Sequence, residues 1–346
     1  MMYKPNFRYA HKIVNNLTAS SAARTVILNV SLIPRWEVSL RREALLRSVH
    51  SSTAIEGNPL TLEQVTDLAA GRDIMVRRKD KQEVLNYLEA LEKIPAFAER
   101  VPFAVADLLE LHKLVTKETL DNPADEGSLR NKQVAVVNRA THEIIFMPPP
   151  SDEVTVLMDE YLEWFNSQEA DEIDPVLEAG ISHYELVRIH PFVDGNGRTA
   201  RVMASLVLFK RAFDIKRFFA LDDYYDQDRR AYYAALKTVD QNTLNLTAWL
   251  EYFTEGVAVS IKAVKDKVIG LSKDIKALKE KGQIALTDRQ MKIVEILVQN
   301  GKLSIGQVKN LFGFTRQMAL KEMTKLAKLG VVKLRGRGRG AYYELT

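Results

Sequence analysis

His190-Pro191-Phe192-Val193-Asp194-Gly195-Asn196-Gly197-Arg198-Thr199-Ala200-Arg201 is the stretch from which the rest of this 346-residue chain is read. Gly195-Asn196-Gly197 permits positive φ angles and close backbone approach, so successive N–H groups can point into one concavity. From Arg198 to Phe213 apolar residues recur at helical spacing (Val202, Leu206, Leu208, Phe213), which predicts that the turn opens a helix with Asn196 as N-cap. A nest followed by a helix N-terminus is an anion site. Arg198 and Arg201, three apart, share a helix face where two guanidinium forks can take successive phosphates. Asp194 on the lip of the turn can hold a magnesium ion, which takes one or two protein carboxylates and shares substrate phosphates. His190 has the side-chain pKa suited to accept a proton from a hydroxyl near neutral pH. Each feature alone is ordinary; together within twelve residues they are the parts needed for chemistry on a phosphate chain.

The stretch resembles the signature of the Fic family, His-x-Phe-x-Asp/Glu-Gly-Asn-Gly-Arg-x-x-Arg, and matches it at His190, Phe192, Asp194, Gly195, Asn196, Gly197, Arg198 and Arg201. The resemblance implies transfer of a nucleoside monophosphate, usually AMP from ATP, onto a protein Ser, Thr or Tyr hydroxyl. His190 would deprotonate that hydroxyl, Asp194 would hold Mg2+ against the α- and β-phosphates, and Gly195, Asn196, Gly197, Arg198 and Arg201 would bind the triphosphate. Phe192 would point into the core. The family's phosphotransferase branch tends to change the Gly-Gly turn and the second arginine, and this chain keeps both. Catalysis by alignment and charge stabilisation suffices for such a transfer.

Towards the N-terminus, Trp36 to Ile55 has near-helical apolar periodicity and stops at Gly57. Ser52 and Glu56 lie four apart on one face. Beside the signature, Ser52-x-x-x-Glu56-Gly57 resembles the family's inhibitory motif, Ser/Thr-x-x-x-Glu-Gly/Asn. By that resemblance Glu56 would pair with Arg201 and occupy the space of the γ-phosphate, leaving the enzyme autoinhibited.

Thr61 is predicted to cap a helix to Ala70, Lys81 to Ile94 continues the helical pattern, and residues 104–119 form another helix broken at Asp121-Asn122-Pro123. His112 in that helix reads as a packing or surface residue. Val134–Val137 and Ile144–Met147 flank a polar turn and read as a hairpin that stops at Pro148; in the family the corresponding hairpin is a flap that holds the target segment by backbone pairing. Glu153 to Gln168 and Pro175 to Arg188 are predicted helices, the second leading into His190. His183 reads as structural, and Tyr224, Tyr225, Tyr232 and Tyr233 as core aromatics, with an adenine contact among them as the alternative.

Charge divides the chain. Residues 1–260 carry 30 Lys+Arg and 38 Asp+Glu, net −8, whereas residues 261–346 carry 19 and 7, net +12. Lys262 to Lys281 reads as a linking helix. Beyond it, Thr287 to Gln299, Ser304 to Phe312 and Thr315 to Leu329 are three short helices, followed by Val331–Leu334, an Arg-Gly turn and Ala341–Leu345. This order resembles a winged-helix domain, with Thr315 to Leu329 as recognition helix and the Arg-Gly turn as wing; its charge suits phosphate attraction, and docking of a protein is the alternative use of such a domain.

The expected architecture is therefore mainly α: an N-terminal helical region with the inhibitory helix (1–100), a Fic core with a small β-hairpin flap (101–260), a linker helix (261–282) and a winged helix-turn-helix domain (283–346). The expected activity is Mg-dependent transfer of AMP from ATP to a target protein, the chain itself included, held off by Glu56. Removal of AMP at the same site and a DNA-binding regulator with a nucleotide-sensing core are the alternatives. DNA is a candidate partner of the C-terminal domain, and a homodimer is left open. With no cysteine, disulfides, thiol nucleophiles and cysteine-bound zinc are excluded. No signal-type apolar core follows Met1 and no apolar run approaches membrane-spanning length, so the expectation is a cytoplasmic protein with no membrane partner.

Overall fold

The computed structural model describes residues 3–30, 32, 34–137, 144–213, 215–280, 287–336 and 338–345. It is mainly helical. In chain order the elements are α1 (His11–Asn29), α2 (Pro34–Ile55), α3 (Leu62–Ala69), α4 (Arg78–Ala98), α5 (Val105–Thr116), β1 (Val136–Val137), β2 (Ile144–Phe146), α6 (Val154–Phe165), α7 (Gln168–Glu172), α8 (Pro175–Ile189), α9 (Asn196–Lys210), α10 (Leu221–Gln227), α11 (Arg229–Leu236), α12 (Thr247–Glu280), α13 (Asp288–Asn300), α14 (Ile305–Phe312), α15 (Arg316–Lys328), β3 (Val332–Arg335) and β4 (Tyr342–Leu345). Among the described residues no helix is long and apolar enough to cross a membrane.

Local signals set many of these boundaries. Thr61 and Gln64 form a capping box at α3, and Asp174 caps α8 with Pro175 at its first position, so orphan N–H groups are met where the chain enters each helix. Two expected helices are shorter than their apolar pattern. Asn166 ends α6 by binding the Phe103 backbone N–H and C=O at 2.8 and 2.9 Å, after which Ser167 caps the separate α7. Helix α9 stops at Lys210 instead of Phe213. In contrast, the expected linker helix is the distal part of α12: Thr247 to Glu280 contains no proline, and its two glycines do not break it.

The chain folds as two compact units, residues 1–25 with 44–264 and residues 26–43 with 265–346. The segments on either side of residue 100 lie within the same unit.

In the first unit α8 is the central element and packs along α9, which α4 and α5 flank. Every residue from Val176 to Ile189 except Val187 is buried, the pattern of a helix enclosed on all sides. Several of its polar groups are paired: Glu178 to Arg211, Glu185 to Arg188, and His183 Nε2 to the Tyr232 hydroxyl at 2.9 Å. Gly180 lets α12 approach, since a Cβ there would lie 2.8 Å from Leu250 Cδ2; Trp249 donates to its carbonyl at 2.8 Å. Burial of Trp249 and Phe253 at this crossing contributes roughly 1.5–3 kcal/mol each or more. Strands β1 and β2 pair antiparallel, Val136 opposite Phe146 and Val137 opposite Ile144; the turn expected at Asn138–His142 lies outside the described residues.

The second unit contains the hairpin β3–β4, in register from Val332–Leu345 to Arg335–Tyr342. Leu303 and Tyr343 exchange backbone hydrogen bonds at 2.9 and 2.8 Å, adding a one-residue third strand. Ile293, Val294, Leu297, Leu303, Val308, Ala319, Met323, Leu326, Val331, Val332 and Tyr343 form its core, with Val38 of α2 packed against it.

Candidate active site

The signature occupies the joint between α8 and α9. His190 terminates α8 in the left-handed region, φ 51° and ψ 58°, a conformation costly for a residue with a Cβ and sustained by surrounding contacts. Buried Arg130 supplies them: its Nε donates to the His190 carbonyl at 2.8 Å, its Nη2 to Pro149 O at 2.6 Å, and its backbone N–H to Pro191 O at 2.9 Å. His190 Nδ1 lies 3.2 Å from Val187 O. A carbonyl can only accept, so Nδ1 carries the proton and Nε2 keeps its lone pair. Burial lowers the His190 pKa, partly offset by the Val187 bond and reinforced by the Arg130 charge. The ring is a neutral base.

The turn is built differently from its expected capping. Asn196 is the first residue of α9, and Gly195, at φ 81°, is the N-cap without a side-chain bond. The Asn196 amide faces back and ties both backbone groups of Phe192, accepting its N–H and donating to its C=O at 2.9 Å each. Phe192 is fully buried and stacks on His112, centroids 3.6 Å apart and planes within 4°. His112 Nδ1 accepts the Gly127 N–H at 3.0 Å and, with the proton therefore on Nε2, donates to the Asp194 carbonyl at 2.9 Å. Burial pushes the His112 pKa down to about 4, consistent with a ring that must accept at one nitrogen. At Gly195 an added Cβ would stand 2.5 Å from Thr116 Cγ2 and 3.2 Å from His112 Nε2, so glycine is required by space as well as by φ.

Arg198 and Arg201 are both buried. Arg198 Nε and Nη1 have no hydrogen-bond partner; Glu83 and Asp194 approach the guanidinium only to 3.7 Å. Arg201 is fully engaged. Its Nε donates to Ser52 Oγ at 2.6 Å, and its Nη2 to Ser52 O at 3.0 Å and Glu56 Oε1 at 2.7 Å. Buried Asp222 lies 3.6 Å from Arg201 Nε and accepts from the Tyr87 hydroxyl at 3.3 Å. Burial opposes the Arg201 charge, but Glu56, Tyr232, Tyr87 and Asp222 hold its pKa well above the ordinary value. The same Glu56 Oε1 sits over the turn: a Cβ on Gly197 would overlap it and come within 3.1 Å of Arg201 Nη1.

Helix α2 is fastened on this side of the site by Ser51 Oγ, which donates to Asp223 Oδ1 at 2.8 Å, and by Arg47 Nε to Asp223 Oδ2 at 2.8 Å. The chain beyond it is held by Asn58, donating to Asp80 O and Glu83 Oε2 at 2.9 Å each. Asp194 is the more open carboxylate, its side chain 57% exposed, with Oδ1 accepting the Gly195 N–H at 2.6 Å.

The structure thus gathers His190, Gly195, Asn196, Gly197, Arg198, Arg201, Ser52, Glu56 and Asp194 around one turn. Three of its supports escape sequence reasoning. His112 reads there as packing or surface because its partners, Gly127 and Asp194, are remote in the chain. Arg130 follows an unremarkable turn, and Asp222 begins a helix among other acids, so neither carries a local signal. Tyr232 and His183 lie in the core behind Arg201, and burial brings the His183 pKa down to about 3.

Residues 102–208 match the model of the Fic/DOC family. Over 176 residues, half of this chain, the sequence is 31% identical to the protein adenylyltransferase Fic of Drosophila willistoni, covering 34% of that protein; the chain spans about a third of the length of the curated relatives it matches. Its fold is similar to a Fic family protein from Desulfovibrio desulfuricans at TM-score 0.65 and 24% identity, over 99% of this chain and 98% of that one, a likeness of fold alone. It is also similar to Caenorhabditis elegans Fic-1 (residues 134–508 of that protein) at TM-score 0.59 and 26% identity, over 76% and 73% of the two chains. The chain therefore carries a Fic/DOC-family domain over residues 102–208.

Proposed function

We propose that the protein transfers AMP from ATP to a hydroxyl of a target protein and is held inactive by Glu56. The observation that carries this reading is Arg198: two buried N–H groups of a cation beside a helix N-terminus make no hydrogen bond, with Glu83 and Asp194 no closer than 3.7 Å, and call for an anionic ligand. A triphosphate supplies it, and the adenylyltransferase relatives supply the nucleotide.

In the reaction the target oxygen attacks the α-phosphorus, the bond to the diphosphate breaks, and the hydroxyl proton passes to His190 Nε2. Arg198, Arg201 and the Gly195–Gly197 backbone stabilise the departing charge. Asp194, a single open carboxylate, fits a magnesium ion, which prefers few protein ligands and shares substrate phosphates. When bound, that ion would neutralise phosphate charge. Glu56, seated on Gly197 and bonded to Arg201, removes one cation from the cradle and places a carboxylate where phosphate must lie.

AMP removal is the second reading, supported by Glu56 Oε2: it has no hydrogen-bond partner among the described residues, and the side chain is 31% exposed, so it could orient a water. Label transfer from α-labelled ATP with magnesium by wild type, Glu56→Gly and Glu56→Gly/His190→Ala separates these. Label that rises in the first variant and vanishes in the second supports transfer; release of AMP from a pre-modified protein with no labelling by any folded variant supports removal.

A further inference from the structure

We infer that the exposed face of α15 binds duplex DNA through its phosphates, with the helix lying along the major groove. The residues involved take no part in the reaction at His190.

Helix α15 has two unlike faces. Ala319, Glu322, Met323 and Leu326 are buried, at the i, i+3, i+4, i+7 spacing of one apolar stripe. Arg316, Gln317, Leu320, Lys321, Thr324, Lys325 and Lys328 are exposed. The single acid of the helix, Glu322, is on the inner face, where it accepts from Gln290 Nε2 at 2.8 Å. Gln290 in turn completes the capping box of α13 with Thr287. Every charged group on the outer face is therefore cationic, and none of Arg316, Lys321, Lys325 or Lys328 pairs with a carboxylate among the described residues.

The adjoining hairpin repeats this arrangement. Glu344 is taken up by Lys333 at 3.3 Å and Arg335 at 2.8 Å, so the acid of this hairpin is already neutralised. From residue 287 to the end of the chain the sequence carries 12 Lys+Arg against four Asp+Glu. The order helix, one-residue strand, helix, helix, strand, turn, strand is that of a winged helix, in which the third helix is presented outward.

Duplex DNA fits this face better than an acidic protein surface. A convex helix about 10–12 Å across matches the width of the major groove, roughly 12 Å. Along the same face Gln317 and Thr324 can meet base edges, and Leu320, 49% exposed, can meet a thymine methyl. Lysine dominates, and its point charge suits phosphates more than bidentate base reading. Binding is thus expected in the weak, largely sequence-independent range, a Kd of about 10⁻⁴ to 10⁻⁶ M at physiological salt.

The test is fluorescence anisotropy of a labelled mixed-sequence duplex with the full-length protein across a salt series, with polyglutamate as competing acidic polypeptide. Wild type should bind with a steep negative dependence of log K on log salt. Lys321→Gln/Lys325→Gln should lower that slope by about two with an unchanged thermal melt, whereas Lys237→Gln should not alter it. Absence of binding at low salt, an unchanged slope in the double variant, or displacement by polyglutamate as effective as by unlabelled DNA would each overturn the inference.

Discussion

Glu56 Oε1 lies 2.7 Å from Arg201 Nη2 and at the same time covers Gly197 Cα, so one carboxylate oxygen occupies both the cation and the backbone of the anion cradle. Under the proposed function, release of that oxygen is the change on which activity turns. A charge-assisted hydrogen bond of this kind is worth about 1.5–3 kcal/mol, which converts to about 10- to 100-fold. Glu56→Gly should therefore tighten ATP binding and raise self-labelling by about that factor, read by nucleotide titration and by transfer of labelled AMP.

His190→Ala should leave nucleotide affinity within about threefold and lower kcat by about 10²–10⁴, the usual contribution of a positioned base. Because burial lowers the pKa of this ring, it is a competent neutral base down to below the ordinary imidazole value of about 6.5. In the Glu56→Gly background the acid limb of kcat/KM should fall below that value. Arg130→Met removes a charge that lowers the His190 pKa, so its acid limb should move to higher pH.

Gly197→Ala should be non-additive with Glu56→Gly. With Glu56 present the new Cβ meets Oε1; without it the nearest remaining group is Arg201 Nη1 at 3.1 Å. Denaturant unfolding of the four proteins in the cycle should give a coupling of about 1 kcal/mol or more, with Ala better tolerated when Glu56 is absent. Equal costs in both backgrounds would place Glu56 away from the turn.

Acid should destabilise the first unit through His112 and His183. Both are held neutral in the fold, with pKa values pushed down by burial to about 4 and about 3, and both protonate near 6.5 once unfolded. The unfolded chain then binds more protons, so their stabilising effect is complete above about pH 6.5 and is lost as pH falls, at up to about 1.4 kcal/mol per pH unit for each. His112→Phe should flatten the slope above pH 4 by one such unit while costing about 2–4 kcal/mol at neutral pH, since the Gly127 N–H and the Asp194 carbonyl lose their partner. A series of urea melts across pH checks both.

What can be read from the chain alone is what is local. Thr61, Asp174 and Ser304 announce helix starts by bonds spanning two or three residues, and the signature is contiguous. The Ser52–Glu56 motif can be identified because the two residues share one turn of helix, and its partner Arg201 stands at a fixed place in a known pattern. His112, Arg130 and Asp222 are silent for the opposite reason: each acts on a backbone atom or guanidinium brought near by the packing of α5, the pre-hairpin turn or α10, at separations of 82, 60 and 21 residues. Asn196 shows a third case. Asparagine before a helix predicts a cap, but two backbone bonds to Phe192 outcompete the single one a cap would make.

Gly197 bears on how this protein can change over generations. Under the proposed function its bare backbone serves a phosphate and, in the inhibited state, Glu56, so a side chain added there would injure the catalyst and its brake together. Ser52 and Glu56 are under no such double demand. Heritable loss of restraint therefore has an open route through the end of α2 and a closed one through the signature, and hyperactive alleles selected at random should cluster between residues 47 and 56 while the turn itself stays unaltered.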